Sequence, residues 1–342
     1  MSEPLRVAVV GCGRISRNHF EAIERVEGLE LVAVADIVRD RAESAAAVYG
    51  VPAFDSLGAM LSGSVCDMVT IATPSGLHPA MGIEVARAGR HVVSEKPMAI
   101  SIDGADSLIA ACSENNVRLF VVKQNRLNPA IQLVKRAVEK GRFGRIHSAN
   151  CTVRWARPQE YYDQAPWRGT WAMDGGAFMN QASHYVDLIQ WLAGPVESVI
   201  AMTATQERRI EAEDSGAAVL RFRNGAIGVL DVTMLTYPRN LEGSLTILGD
   251  RGSVKIGGTA VNRVETWLFE DYDDDDKLVE SVGTTPPSVY GFGHEGYYKN
   301  VVRVLCGEGV PDTDGAEGRK SLEIILAIYE SARTACVVKV GH

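Results

Sequence analysis

Leu5–Val10 is a short, nearly continuous apolar run, and Gly11-Cys12-Gly13-Arg14-Ile15-Ser16 follows it at once. No other feature restricts the fold of this chain so strongly. An unbroken apolar run bounded by glycine reads as a strand buried on both faces, as in a parallel sheet. From Ile15 to Val26 the apolar spacing is helical, and Leu31–Ala35 reads as a second strand ending at Asp36. Strand, glycine turn, helix and strand-end acid together describe a dinucleotide-binding unit. Gly11 permits the tight turn, and Gly13 lets the backbone approach a pyrophosphate. The new helix, entered through Arg14 and Ile15, offers N–H groups and the positive end of its dipole. Asp36 lies 20 residues after Ser16, where an acid accepts from a ribose 2′-hydroxyl and repels a 2′-phosphate. NAD is therefore expected over NADP, although Arg39 and Arg41 stand close enough to serve a 2′-phosphate. Ser16 replaces the third glycine of the usual fingerprint and is small enough for close helix–strand packing.

The alternation continues. Cys66–Ala72, His91–Ser94 and Arg118–Val122 read as strands, and Pro79–Ala88 and Asp103–Glu114 as helices. This is a doubly wound α/β pattern, whose ligands sit at the carboxyl ends of the strands. Those ends carry Thr73-Pro74-Ser75, Glu95-Lys96-Pro97 and Gln124-Asn125.

A chain of 342 residues exceeds what one core usually supports, so two domains are expected, 1–125 and 126–342. With 35 basic against 43 acidic residues the formal charge is −8, which argues against a nucleic-acid-binding surface. No apolar run approaches the length of a membrane span. The six cysteines are scattered without a CxxC pair, so neither a disulfide framework nor a zinc ribbon is indicated. Met1–Pro4 leads straight into a strand and leaves no room for a signal peptide. A cytoplasmic protein is the expectation.

From about Arg145 the pattern changes. Val196–Gln206, Gly216–Arg223, Ala226–Thr236 and Leu241–Leu248 read as strands, with Asn224-Gly225 as a hairpin turn. One long helix, Phe178–Leu192, interrupts them, and another, Ala316–Thr334, lies near the end. The fold class expected is α/β: an N-terminal Rossmann-type parallel sheet plus a C-terminal α+β domain with an open, mostly antiparallel sheet. The open face suits pairing with a second copy. Asp273-Asp274-Asp275-Asp276-Lys277 reads as an exposed, solvated loop.

Two side chains stand out for proton and charge chemistry. Lys96 follows a strand end, where its ammonium can stabilise an alkoxide or, at lowered pKa, act as a base. His184 has an imidazole suited to accept a proton near neutral pH, and Asn180 lies one helical turn before it. His184 is taken as base and Lys96 as alkoxide stabiliser; the reverse assignment stays open. The remaining histidines form no metal-ligand pattern, so no metal is expected.

Gly11-Cys12-Gly13, Thr73-Pro74-Ser75-Gly76-Leu77-His78, Glu95-Lys96-Pro97 and Gly175-Gly176-Ala177-Phe178-Met179-Asn180-Gln181-Ala182-Ser183-His184 together resemble the Gfo/Idh/MocA family of sugar and polyol dehydrogenases. The resemblance covers essentially the whole chain. It implies that the Thr73–His78 loop lies beside the nicotinamide ribose. Asn180 departs from the family's usual Asp. The segments 121–126, 155–162, 167–171, 209–214 and 290–294 are similar to one branch, the UDP-N-acetyl-2-amino-2-deoxyglucuronate 3-dehydrogenases. That likeness implies NAD-dependent oxidation of the C3 hydroxyl of UDP-N-acetylglucosaminuronic acid (UDP-GlcNAcA), for bacterial lipopolysaccharide sugars, by a homodimer or homotetramer. Arg157, Arg168 and Arg209 then offer anion contacts. Trp155, Tyr161 and Tyr162 offer stacking surfaces, and Gln181 and Tyr290 complete the substrate set. Trp167-Arg168 is a further candidate for the cofactor. A free-sugar or inositol dehydrogenase, or a catalytically silent NAD-binding regulator, is the competing expectation.

Overall fold

The computed structural model describes residues 3–283 and 293–341. In chain order the elements are β1 (Leu5–Val10), α1 (Ser16–Arg25), β2 (Leu29–Ala35), α2 (Arg39–Tyr49), β3 (Ala53–Phe54), α3 (Leu57–Gly63), β4 (Met68–Ile71), α4 (His78–Arg87), β5 (His91–Ser94), α5 (Ile102–Glu114) and β6 (Leu119–Val121). They continue with α6 (Pro129–Glu139), β7 (Ile146–Arg154), α7 (Gln159–Asp163), α8 (Ser183–Ala193), β8 (Val196–Ala204), β9 (Ser215–Phe222), β10 (Ile227–Thr233) and β11 (Glu242–Gly249). Last come β12 (Gly252–Gly257), β13 (Arg263–Phe269), α9 (Gly293–Leu305), α10 (Gly315–Thr334) and β14 (Val338–Lys339). The described residues fall into two compact units, drawn from Met1–Lys123 with His294–Arg319 and from Gln124–Gly293 with Lys320–His342.

The first unit holds a six-stranded sheet in the order β3-β2-β1-β4-β5-β6, with every pair parallel. Val7, Val9, Val34, Val69, Ile71, Val92 and Val93 are fully buried, because helices cover both faces of a parallel sheet. Register matters for the site. Val10 pairs with Ala35 and with Ile71, and Ile71 with Ser94. The residues that follow, from Gly11, Asp36, Ala72 and Glu95, therefore leave the sheet at one level. The apolar runs 5–10 and 91–94 are the strands the sequence predicts. The pieces β3, α2 and α3 carry no clear apolar period and escape that reading; α2 buries only Ala42. In this unit α9 buries His294, Tyr297, Tyr298 and Val301. After it, Thr313 exchanges hydrogen bonds with Val121 of β6.

The second unit holds an eight-stranded sheet, β13-β12-β11-β7-β10-β9-β8-β14. It is antiparallel except for β7 against β10, which run parallel. The inward residues of β7, β10 and the Ala217–Phe222 part of β9 alternate with outward ones, as a sheet with one covered face requires. Helices α6 and α8 cover the inner face. The outer face carries exposed Ile200, Met202, Val219, Ile227 and Val229 beside an ionic ladder of Arg154, Asp231, Glu242, Lys255 and Glu265.

Two expectations are corrected here. The helix expected over 178–192 is divided: Ala177–Gln181 is a single π turn, and α8 begins only at Ser183. The acidic run is not a free loop. Asp274–Leu278 is a 3₁₀ turn capped by Asp273, and it is held by cations at the end of α6. Arg136 reaches Asp275, Lys140 reaches Asp273 and Asp275, and Arg142 reaches Asp276 at 2.7 Å. The like charges are neutralised by partners more than 130 residues away, out of view of a local charge count.

Candidate active site

The first unit builds a phosphate cradle. Gly11 has φ +93°, and its amide donates to Ala35 O at 2.8 Å. A Cβ there would lie 2.5 Å from Ala72 O, so only glycine passes between β1 and the end of β4. At Gly13 a Cβ would meet nothing within 4 Å: the space above the turn is open. Arg14 is exposed and Ile15 half-buried, and the first turn of α1 has no side-chain cap. Its amides face that open space as donors for an anion. Ser16 donates to Gly13 O at 2.6 Å, which ties the turn to the helix in place of a third glycine.

Asp36 is fixed by backbone. Its two carboxylate oxygens accept from Cys12 N and Val38 N, each at 2.8 Å. Each oxygen keeps a second lone pair for a hydroxyl. An open glycine turn, uncapped helix amides and an anchored strand-end carboxylate fit a dinucleotide with a free ribose 2′-hydroxyl.

After β4, Thr73 and Pro74 are half-buried and Ser75 is buried. His78 is completely buried, with its ring nitrogens 2.8 Å from Thr73 O and Pro97 O. It ties the Thr73 loop to the Lys96-Pro97 turn and acts through those loops. Burial pulls its basicity down, against the two carbonyls that favour the imidazolium.

Glu95 is 4% exposed and lies beneath Lys96. One oxygen accepts the Lys96 backbone N–H at 2.9 Å; the other faces His19 Nε2 at 3.0 Å and His294 Nε2 at 3.8 Å. His19 Nδ1 faces the Tyr298 hydroxyl at 2.9 Å, and that hydroxyl is 2.8 Å from Thr70. Burial opposes ionisation of Glu95, but the two histidines prevail and hold its carboxyl well below the usual range. Thr70, Tyr298, His19 and Glu95 are thus linked in one hydrogen-bonded chain. Glu95, His19 and His294 bring donor atoms within 4.8 Å of one another, among the described residues the one grouping with metal-ligand spacing. Hydrogen bonds already account for both nitrogens of His19 and both oxygens of Glu95. Lys96 itself is half-buried.

In the second unit, Gln124 and Asn125 are buried in a 3₁₀ turn, Gln124–Leu127. Gln124 Nε2 donates to His184 Nε2 at 3.2 Å, so the proton of a neutral His184 ring sits on Nδ1. Arg126, next in the turn, forms a buried two-pronged pair with Asp187 of α8, at 2.7 and 2.8 Å. That pair ties the Gln124 turn to the helix that carries His184. Asn180 lies in the π turn and donates from Nδ2 to Asp174, a buried carboxylate that also accepts from Gly169 N at 2.8 Å.

The predicted substrate residues form two groups. Arg157 donates to Gln181 Oε1 at 3.0 Å and lies 5.0 Å from the Trp155 ring; Gln181 donates to Tyr161 Oη at 3.1 Å. Arg168 stacks on Tyr161 at 4.3 Å and on Trp167 at 4.8 Å. Its Nε is buried without a partner among the described residues. Tyr162, Arg168 and exposed Arg209 line an open cleft of about 380 Å³ with Asp163 and Ile210. Tyr290 lies outside the described residues. Sequence reading missed Asp174, His19, Thr70, Tyr298, Glu213 and Tyr329. Asp174 stands directly before the Gly175-Gly176 pair, a local signal that was available; the others are joined only by folding.

A parallel sheet whose strand ends present this cradle and Lys96 defines a dinucleotide-dependent oxidoreductase. Residues 5–123 match the oxidoreductase family with an NAD-binding Rossmann fold, and residues 131–255 the GFO/IDH/MocA C-terminal domain. The chain belongs to the Gfo/Idh/MocA family and is an NAD-dependent oxidoreductase. It is 54% identical to the WlbA dehydrogenase of Bordetella pertussis, solved in complex with NADH and UDP-GlcNAcA, over 100% of this chain and 99% of that one, with a TM-score of 0.97. The WlbA dehydrogenase of Chromobacterium violaceum, solved with the same two ligands, is 50% identical over 100% and 97% of the two chains, with a TM-score of 0.95. A D-apiose dehydrogenase of Paraburkholderia graminis is 26% identical over 97% of this chain and 88% of its own length.

Proposed function

We propose that the enzyme oxidises the C3 hydroxyl of UDP-GlcNAcA to the 3-keto sugar. The whole-chain likeness at 54% identity to a dehydrogenase solved with NADH and UDP-GlcNAcA carries this reading. Bound NAD supplies the hydride acceptor. The chain's own residues supply the rest. Gly11, Gly13, Arg14 and Ile15 hold the pyrophosphate, and Asp36 the adenosine ribose. Thr73, Pro74, Ser75, Glu95, Gln124 and Asn125, with Trp167 and Arg168, surround the rest of the cofactor. His78 keeps two of those loops together.

His184 takes the hydroxyl proton at Nε2, once the sugar hydroxyl displaces the Gln124 N–H from that nitrogen's lone pair. Lys96 stabilises the developing alkoxide. Asn180 and Gln181 orient the sugar, and Arg157, Arg168, Arg209, Tyr161, Tyr162 and Tyr290 hold the uronate and the nucleotide. Of the two units, the one drawn from 1–123 and 294–319 chiefly serves the cofactor, and the one drawn from 124–293 and 320–342 serves substrate and assembly. The exposed apolar strip on the outer sheet face supports a homodimer or homotetramer. No helix among the described residues is long and apolar enough to cross a membrane. A cytoplasmic enzyme of lipopolysaccharide sugar synthesis fits this reading.

The test is NADH formation from a panel of UDP-GlcNAcA, UDP-N-acetylglucosamine, myo-inositol and glucose. UDP-GlcNAcA is expected to lead UDP-N-acetylglucosamine by on the order of 10²-fold or more, because an arginine left without its carboxylate is costly. Preference for inositol or glucose would promote a free-sugar dehydrogenase instead. Lys96→Met should cut kcat by about 10²–10³-fold while NAD affinity holds.

A further inference from the structure

The π turn before α8 is an unusual way to begin a helix. Its closing bond, Ala182 N to Ala177 O at 2.8 Å, spans five residues, a geometry that seldom stands alone and recurs at functional sites. The opening amides of such a turn lack partners within it. Here two residues from distant parts of the second unit take them. Phe178 N donates to Glu213 Oε1 at 2.8 Å, and Ala177 N to Glu213 O at 2.9 Å. The Tyr329 hydroxyl donates to the same Glu213 oxygen at 3.0 Å, and its own oxygen accepts from Met179 N at 3.2 Å and Gly176 N at 3.4 Å. Four successive amides, 176 to 179, are thus satisfied by one carboxylate-bearing residue and one phenol.

The fit is close. A Cβ on Gly176 would overlap the Glu213 carboxylate, so the second glycine of the pair is there to admit Glu213. The other carboxylate oxygen, Oε2, is buried without a partner among the described residues. Burial raises the Glu213 carboxyl to about 7. An unpartnered buried oxygen is a standing cost, which the fold retains for the sake of the oxygen that caps the turn.

We infer that Glu213 and Tyr329 are positioning residues for the reaction: as a shared cap they set the π turn that presents Asn180 and starts the helix of His184. Neither touches substrate in this scheme. The proposal rests on the roles given above to Asn180 and His184. Without the cap the turn relaxes toward an ordinary α-helical turn, and one residue of difference rotates Asn180 relative to His184 by roughly 100°.

The decisive variant is Tyr329→Phe, which keeps the ring packing and removes only the hydroxyl. With Glu213→Ala and Glu213→Gln it should be assayed for kcat and KM on UDP-GlcNAcA, NADH affinity, melting temperature and amide exchange over 176–184. Expected for Tyr329→Phe is a kcat loss on the order of 10²-fold, since misplacement on the scale of an ångström costs that much. NADH affinity should hold, and exchange should rise at 176–184 but not in the sheet. Glu213→Gln, which keeps an accepting oxygen, should recover most of what Glu213→Ala loses. The double variant should be little worse than the weaker single.

Wild-type kcat and exchange in Tyr329→Phe would overturn the inference. So would losses of kcat, NADH affinity and melting temperature in parallel, which mark a merely structural role. A wild type inert toward UDP-GlcNAcA would sink the functional reading instead; the exchange result would then decide the cap by itself.

Discussion

The side-chain nitrogen of Gln124 lies 3.2 Å from Nε2 of His184, donor against acceptor, while the Gln124 oxygen is buried with no partner among the described residues. A glutamine so placed selects one tautomer of the histidine and occupies its Nε2 lone pair until a substrate hydroxyl takes its place. Gln124→Glu reverses the bond. A carboxylate accepts only, so it favours a proton on Nε2 and the imidazolium form. The acid limb of the kcat/KM profile should move to higher pH by about one unit or more, the shift an adjacent opposite charge usually brings. A pH–rate series on the variant reads this directly, and an unmoved limb would remove His184 from the role of base.

Asp36 serves the backbone as well as the cofactor. Asp36→Ala should lower the preference for NAD over NADP, because the ribose acceptor and the repulsion of a 2′-phosphate go together. It should also cost about 1–3 kcal/mol of stability, since Cys12 N and Val38 N lose their acceptor. Asp36→Asn keeps one accepting oxygen and should lose less stability than selectivity. Urea unfolding beside kcat/KM for both cofactors separates the two effects; selectivity unchanged in both variants would contradict the placement at the ribose.

Arg126 and Asp187 form a fully buried pair. Asp187→Ala leaves a guanidinium in the core and should cost about 3–5 kcal/mol, whereas replacing both by apolar residues of similar volume should cost much less. Urea midpoints of the single and double variants check this. A single variant losing under about 1 kcal/mol would show the pair to be solvated in solution.

Glu213 gives a pH dependence of known sign. Its folded carboxyl is raised from the ordinary 4.5 to about 7, chiefly by burial, with Asp214 adding to the rise and Tyr329 and the Phe178 amide opposing it. A raised acid favours folding when protonated. That contribution is complete below the unfolded value and disappears as pH rises through about 7. Between pH 5 and 8 the wild type should lose stability relative to Glu213→Gln, by on the order of 3 kcal/mol if the whole shift is expressed. Parallel melting curves across that range would place the ionisation of Glu213 elsewhere.

The local order of this chain was legible without coordinates. An apolar run closed by Gly11 and Gly13, an acid at the second strand's end and a lysine after the strand 91–94 are patterns within short windows. A window reports burial and secondary structure because side-chain periodicity is set by the backbone itself. What the window cannot report is which polar groups are matched to one another. Glu95 holds the amide of Lys96 through His19 and Tyr298, the last pair separated by 279 positions. Glu213 and Tyr329 cap the π turn across 116 positions, and the acidic run at 273–276 is neutralised from the end of α6. A buried polar atom must find a partner wherever the fold brings one within about 3 Å. That choice depends on the closed chain, so the long apolar strands of the first sheet were determined locally, while the internal ties of each unit were decided only by tertiary structure.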